Sequence, residues 1–386
     1  MDTSNSSIDF EILWKKLHAS LTEEEEEQLA QWLQKASHRR YFERLSQISR
    51  SSPPPSSPDV SQAWRMVARR TADQARPVRR RTVYLSGVAA GLLLLVIGGY
   101  LGWFSSAPPS AEPPSSTLIE PGTDRAVLVT EDGATYDLSA GHTLSLQTGH
   151  TEINSQGTSL AYTAAGKVST ETTYHTLKIP RGGEFTLTLS DQTQVWLNAE
   201  TVLRFPTHFS GTYREVELTG EAYFKVSKDP TKPFRVISGN QLTEVLGTSF
   251  NVSCYEEDSL IYTTLVEGKV NVSSADHPAV QQTLRPHHQS YLSKATGALA
   301  QQAVDPQPYV AWQQGRFYFK DEPLEKLMTT LSRWYDVEVT FANAAARHYR
   351  FTGNLERYQD FEHILNLLQA TEEVTFEVAG RSITVE

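Results

Sequence analysis

Between Val83 and Phe104 the chain carries no charged residue and is largely apolar, and Arg76, Arg79, Arg80 and Arg81 stand immediately before it. As a helix rising ~1.5 Å per residue, this stretch reaches about 33 Å, close to the ~30 Å hydrocarbon layer of a bilayer. It lies too deep in the chain for a cleaved signal peptide. Arg65, Arg69 and Arg70 add to the basic side, and no Lys or Arg occurs from Thr82 until Arg125. That asymmetry predicts a cytoplasmic N-terminal part and a larger C-terminal part on the far side of the membrane. The competing reading is a buried helix of a soluble core. The length of the charge-free run, with Arg-rich and then Pro-rich flanks, disfavours it.

A chain of 386 residues has room for two or three domains. Its charge divides at the apolar segment: residues 1–82 hold 14 Lys and Arg against 11 Asp and Glu, leaving 21 basic and 34 acidic residues beyond. An acidic exterior argues against direct nucleic-acid binding. The cytoplasmic excess comes mostly from the arginines next to the membrane, which orient the helix and are placed to touch anionic lipid. A single cysteine, Cys254, excludes an intrachain disulfide and a thiolate zinc cluster. Its alternating neighbours make it a small buried strand residue.

Before the first linker, short amphipathic helices are legible. Phe10, Leu13, Trp14 and Leu17 recur at helical spacing. Thr22 and Glu25 form a capping box that opens a second helix, with Glu23 to Glu27 at its positive end and Leu29, Trp32, Leu33 and Ala36 as its stripe. Tyr41, Phe42, Leu45 and Ile48 mark a third. After the Ser/Pro run from Ser51 to Pro58, Val60, Trp64, Val67 and Ala68 mark a fourth. The aromatic side chains outnumber what so short a bundle can hide. They make either a mini-core or a surface completed on docking a partner.

Gly87, Gly91, Gly98 and Gly102 fall within about 60° of one another on a helical wheel, a face on which a second helix could pack closely or a weak point for proteolysis within the membrane. Tyr100 and Trp103 sit where an interfacial aromatic belt belongs. Ser105 to Ser116 is a semi-rigid Ser/Pro/Ala linker.

From Leu118 to about Val304 the period changes to two. Phe185, Leu187 and Leu189 alternate with Thr186 and Thr188, and Val216 and Leu218 with Glu215 and Glu217. A faint internal repeat runs through this region. Pro121-Gly122, Leu128 to Gly133 and Tyr136-Asp137-Leu138 correspond to Pro180-Arg181-Gly182, Leu187 to Asp191 and Val195-Trp196-Leu197. Each half reads as strand, turn and returning strand, and the region as an all-β sandwich or stack. Trp196 and Phe224 are expected in its core. Glu221 invites a catalytic reading, but no second carboxylate or His sits in a comparable motif. His287 and His288 are adjacent, so on a strand they would face opposite ways and make a poor metal site.

Pro180-Arg181-Gly182-Gly183, Val195-Trp196-Leu197-Asn198-Ala199, Leu203-Arg204-Phe205-Pro206, Val216 to Phe224, Lys232-Pro233-Phe234, Leu246 to Val252 and Thr264-Leu265-Val266-Glu267-Gly268 together resemble the FecR family. These are transmembrane anti-sigma proteins of the ferric-citrate-regulator type, in the form typical of Bacteroidetes. The resemblance runs from about Leu118 to the end of the chain, and the Leu-Thr-Glu-Glu to Trp-Leu stretch is similar to that family's N-terminal module. Two positions depart from the pattern. Gln192 stands where the family has the Gly of an Asp-Gly turn, and His287-His288 stand where small or amide residues are usual.

After Trp312 comes a different rhythm. Arg316 to Phe319 is a strand candidate, and Asp321 and Pro323 open a helix whose buried stripe is Leu324, Leu327, Met328, Leu331 and Tyr335. Val337 to Phe341 and Arg350 to Thr352 are strands. Asp360 starts a helix with Phe361, Ile364, Leu365 and Leu368 inward, and a hairpin turns about Gly380. These strand–helix–strand units resemble the short signalling domain of secretins and TonB-dependent transducers, and their strand edges are suited to accepting a partner's strand.

The expected organisation is a small all-α cytoplasmic module at 1–75, a single transmembrane helix at 83–104 and a Pro/Ser linker at 105–116. An all-β FecR-like domain at 117–310 and an α/β domain at 312–386 follow. The resemblance implies a single-pass protein of the inner membrane, N-terminus cytoplasmic and C-terminus periplasmic. Its partners would be an extracytoplasmic-function sigma factor inside and the signalling domain of a TonB-dependent outer-membrane transporter outside. Intramembrane and periplasmic proteases would act on it, and the genes controlled would serve uptake of an iron chelate or glycan. Trp14, Leu17, Trp32, Leu33, Phe42 and Trp64 are the expected sigma-factor contacts, and Gly87, Gly91, Gly98 and Gly102 the helix-packing face. No catalytic residue, metal or cofactor is expected. The alternatives are a membrane-anchored envelope scaffold and a carbohydrate-active protein built on the β region. The latter would need the clustered acids or histidines that the motifs lack.

Overall fold

A computed structural model describes Lys16 and residues 21–33, 119–139, 142–148, 151–164 and 172–386. The predicted membrane segment and the aromatic positions Trp14, Phe42 and Trp64 lie outside these residues. Among the described residues no helix is long and apolar enough to cross a membrane.

Helix α1 (Glu23–Trp32) begins where the capping box predicts. The Glu25 backbone N–H donates to Thr22 Oγ1 at 3.4 Å, and Glu25 Oε2 accepts from the Thr22 N–H at 2.8 Å. Two of the orphan donors of a helix start are thereby satisfied. Leu29 is buried and Leu33 half-buried.

The β region forms two sheets around one apolar core. In spatial order the first contains Thr135–Asp137, Val127–Val129, Tyr174–Ile179, Thr201–Pro206, the first half of Arg214–Lys225, Phe234–Ser238, Gln241–Val245, Val270–Ser274 and Gln281–Leu284. The second contains Thr143–Thr148, Thr151–Gln156, Ser159–Ala164, Gly183–Thr188, Gln194–Leu197, the second half of Arg214–Lys225, Ser249–Cys254, Leu260–Glu267, His288–Ser293 and Leu299–Ala303. Period-two sequences produce this arrangement because every second side chain enters the core. Val216, Leu218, Ala222 and Phe224 are all buried along one strand. The strand changes sheets at Gly220, whose φ is 99°. A Cβ there would lie 2.6 Å from the Thr201 Cα, so only glycine lets the backbones approach.

The two repeat halves superpose in logic. Val127–Val129 returns as Thr135–Asp137, and Gly183–Thr188 returns as Gln194–Leu197. Gly133 has φ 83° and Gln192 φ 68°, and their N–H groups donate at 2.9 Å to Thr130 O and Leu189 O respectively. Gln192 therefore keeps the left-handed turn that glycine makes in the first half. Trp196 departs from expectation. Val195 and Leu197 take the inward positions, which turns Trp196 outward, half-buried and edge-to-face with Tyr223 at 5.7 Å. His287 and His288 sit at a turn, His287 exposed with φ 61° and His288 half-buried.

A short turn of helix, α2 (Gln307–Val310), leads to the C-terminal module. Strands Arg316–Pro323 and Arg350–Glu356 pair antiparallel. Glu338–Phe341, Ser382–Val385 and Phe376–Ala379 form a second small sheet in that order. Helices α3 (Leu324–Tyr335) and α4 (Phe361–Gln369) bury every apolar residue assigned to their stripes, and Trp334 besides. Asp321 does not cap α3. It occupies an irregular step of the preceding strand at φ 51°, and Pro323 holds the N-cap position.

Candidate functional site at the domain junction

Strand alternation places Glu221, Asn251 and Thr264 on the outward face of the second sheet, opposite to the core. Asn198, which follows the Gln194–Leu197 strand, lies beside them. All four belong to the motifs quoted above. They meet the C-terminal module, whose α3 and first strand cover that face and leave a cleft of about 550 Å³ lined by both parts.

Glu221 is the centre of the floor. Its carboxylate accepts from Asn198 Nδ2 at 2.7 Å and from Asn251 Nδ2 at 2.9 Å. Burial pushes this carboxyl above the usual carboxylate range, against the two amides and the nearby Arg333 and Arg357, which pull it down. The other ends of both amides reach the C-terminal side. Trp312 Nε1 donates to Asn251 Oδ1 at 3.2 Å, and Arg357 Nη2 donates to Asn198 Oδ1.

Arg357 is the matching feature of the second part, only 1 % exposed. Its guanidinium lies 3.8 Å from the Trp334 ring centroid, donates to Trp312 O at 3.3 Å and sits 3.6 Å from the Glu184 carboxylate. Burial lowers its pKa, opposed chiefly by Glu184. A buried cation of this kind persists because the ring face and the acceptors replace the water it loses. Tyr358 donates to the same Glu184 carboxylate.

A second set of contacts closes the end of α3. The final carbonyls of a helix have no partner within it. Here Arg181 Nη2 donates to Ser332 O at 2.7 Å and to Val337 O at 2.9 Å, and the Gly182 N–H donates to Arg333 O at 2.7 Å. A cation at a helix C-terminus also suits the macrodipole. The Arg181 Nε lies 3.3 Å from Asp336, and its Nη1 bonds Glu200 at 3.1 Å. Arg333 stacks 3.6 Å from the Tyr255 ring centroid and pairs with Glu257. In the first repeat half, Gly122 leaves room for Trp334, whose ring a Cβ would meet at 2.6 Å.

The sequence singled out Arg181, Asn198 and Asn251 only as parts of motifs, and Glu221 only for a catalytic reading that it disfavoured. It gave no reason to join them to Trp312, Arg333 or Arg357, more than sixty residues further on. The one legible signal was a polar residue recurring at outward positions of otherwise apolar strands. Of the expected sigma-factor contacts, Trp32 ends α1 and Leu33 is its C-cap residue. Trp14, Leu17, Phe42, Trp64 and the four membrane-segment glycines fall outside the described residues.

Residues 173–271 match the family described as FecR protein, and residues 316–385 match FecR, C-terminal. Two crystal structures of a candidate anti-sigma factor from Parabacteroides distasonis ATCC 8503 are similar to this chain. Each is 32 % identical to it over 55 % of this chain and 98 % of that one, with a TM-score of 0.50. The chain belongs to the FecR family. No protein with a curated description matches it. Within this FecR protein the two matched regions are the two sides of the junction, and Arg181, Asn198, Glu221 and Asn251 on one side meet Arg333 and Arg357 on the other.

Proposed function

We propose that this FecR protein is a single-pass inner-membrane transducer that regulates an extracytoplasmic-function sigma factor. Membership of the family and the description of its Parabacteroides relative support a sigma-regulating and non-enzymatic role. In this reading residues 1–75 hold the sigma factor in the cytoplasm through Trp14, Leu17, Trp32, Leu33, Phe42 and Trp64. Residues 83–104 cross the membrane, and the periplasmic remainder receives the signalling domain of a TonB-dependent outer-membrane transporter. Stepwise cleavage by periplasmic and intramembrane proteases would make the switch irreversible. A partner shifts such an equilibrium only by binding one state better than the other.

The observation that carries this reading is the chemistry of the junction. The family's polar motif residues are spent on each other and on the C-terminal module. Glu221, the one motif carboxylate that invited a catalytic role, is half-buried and held by two amides. Such a face joins two parts into one receiving body. The test is to co-express the tagged full chain with the extracytoplasmic-function sigma factors of its host and to purify it in mild detergent. One sigma factor is expected to copurify, and Trp32→Ala with Phe42→Ala should release it. Recovery of intact, folded chain with none of them bound would remove the proposal.

A further inference from the structure

Residues 119–125 are the first described stretch after the Ser/Pro/Ala linker, and they cross from one core to the other. Ile119 is buried in the apolar core of the C-terminal module, the cluster that holds Phe317, Leu331 and Trp334. Ala126, seven residues on, is buried in the core of the β region. Between them Gly122 is buried beneath the Trp334 ring, at the contact that leaves no room for a Cβ. Thr123–Asp124 then pairs parallel with Gly183 and Glu184. The Thr123 N–H donates to Gly182 O and the Arg125 N–H to Glu184 O, both at 3.1 Å, and Arg125 Nη2 donates to Arg181 O. Arg181 and Gly182 are the same residues that close the end of α3.

The pairing itself is weak. At two residues Thr123–Asp124 is the shortest of the described strands. Its register sets Asp124 beside Glu184, and burial, followed by the Glu184 charge, raises the Asp124 carboxyl. Like charges on neighbouring strands work against the pair. A segment with so few backbone bonds opens locally at small cost unless a buried apolar side chain anchors it. Here the anchors are Ile119 and the Gly122–Trp334 contact, and both lie in the C-terminal module.

We infer that residues 119–125 are a strap: the C-terminal module, while docked on the β region, grips the chain where it arrives from the proposed membrane segment, and lets it go when the docking loosens. This regulation rests on the transducer reading given above. A partner that binds the module better when it is loosened from the β region frees the strap by the same equilibrium. Seven released residues lengthen the chain between the membrane and Ala126 by up to about 23 Å. They also turn a paired and covered backbone into an open one, the form a protease cuts. The module thus acts on the membrane side of the chain directly, and the β core need not deform.

The test follows the full chain carrying Ile119→Cys, in mild detergent, by its rate of labelling with a polar maleimide. The native Cys254 is buried in the second sheet, so it gives the background and reports whether the β region stays closed. Labelling is expected to be at least tenfold slower than that of Glu131→Cys, on an exposed turn. Adding Trp312→Phe loosens the junction at Asn251, away from the strap, and should speed labelling of Ile119→Cys about fivefold. Adding Arg357→Ala instead should speed it at least tenfold. Cys254 should stay unlabelled with Trp312→Phe, which keeps the fold even if Arg357→Ala does not. Ile119→Cys labelling as fast as Glu131→Cys, or a rate indifferent to Trp312→Phe, overturns the proposal. So does joint labelling of Cys254 with Trp312→Phe, since the strap would then open only with the whole β region. These rates need no sigma factor, so they can fail while the copurification succeeds, and the reverse.

Discussion

The second sheet of the β region has two faces that obey different rules, and the contrast explains how this FecR protein is built. Its inner face is mostly apolar, with Thr151, Ser155, Thr263 and Ser290 as buried polar exceptions. Val195, Leu197, Ala222, Phe224, Phe250 and Val252 are buried in one core, and Phe224 stacks on Phe250 at 5.2 Å. The outer face of the same strands carries Glu221, Asn251 and Thr264, with Asn198 beside them. It is buried against the C-terminal module by hydrogen bonds and a stacked guanidinium. Apolar packing tolerates many partners of about the right volume, whereas directional hydrogen bonds between buried polar groups restrict the arrangement, even with the Nε atoms of Arg333 and Arg357 left without a hydrogen-bond partner. The inner face thus supplies stability and the outer face fixes how the two parts meet.

The largest effect should come from the inner face. Phe224→Ala removes a fully buried ring, and a loss of about 3–5 kcal/mol is expected. Urea denaturation followed by circular dichroism should show one transition moved to lower denaturant. If the β region and the C-terminal module separate instead, the core does not stabilise both together and the contrast between the faces fails.

Arg357→Ala should cost about 3 kcal/mol, since it leaves Glu184 and the Asn198 carbonyl without their buried partner. Its signature differs in kind from that of Phe224→Ala. The β core is untouched, so unfolding should split into two steps, with the C-terminal module melting first. A single transition with unchanged slope would mean that Arg357 merely contributes to one common core.

Trp312→Phe keeps most of the ring and deletes one donor. Asn251 Oδ1 then loses the hydrogen bond it receives at 3.2 Å, and a loss of about 1–2 kcal/mol is expected, confined to the first of those two steps. No measurable change would show that the Asn251 bond is replaced by water and that the junction is wetter than its burial implies.

The same contrast sets how far the sequence could be read. Alternation gave the inner face because burial imposes period two along each strand, and it gave the apolar stripes of α3 and α4 for the equivalent reason at period 3.6. Trp196 was misplaced because hydrophobicity outweighed position: between Val195 and Leu197 it must point outward. Asp321 was misassigned because an acidic residue ahead of Pro323 imitates a helix start, while the strand simply runs on to Pro323 itself. The junction was not legible at all. Pairing Asn198 with Arg357 joins residues 159 apart, and no local pattern encodes a contact at that separation. What the sequence did carry was the resemblance, and its motif residues mark the docking face although nothing local says why.

The smallest effect distinguishes the two repeat halves, and so tests whether their turns are equivalent. Gly133 and Gln192 occupy corresponding left-handed positions, with φ 83° and 68°. An L-residue in that region is strained by roughly 1–2 kcal/mol, while glycine gives back about 0.5–1 kcal/mol through the greater freedom of its unfolded chain. Gln192→Gly should therefore stabilise the protein by about 0.5 kcal/mol, and Gly133→Gln should destabilise it by a similar amount. The Gly133 position is open, with nothing within 4 Å of an added Cβ, so steric clash does not enlarge the second effect. Urea midpoints at constant slope measure both. If the two changes are opposite and equal, the halves are one design used twice. If Gln192→Gly destabilises, the Gln192 side chain contributes more than the strain it carries, and the second half has been specialised at its turn as well as at its Arg181 docking contact.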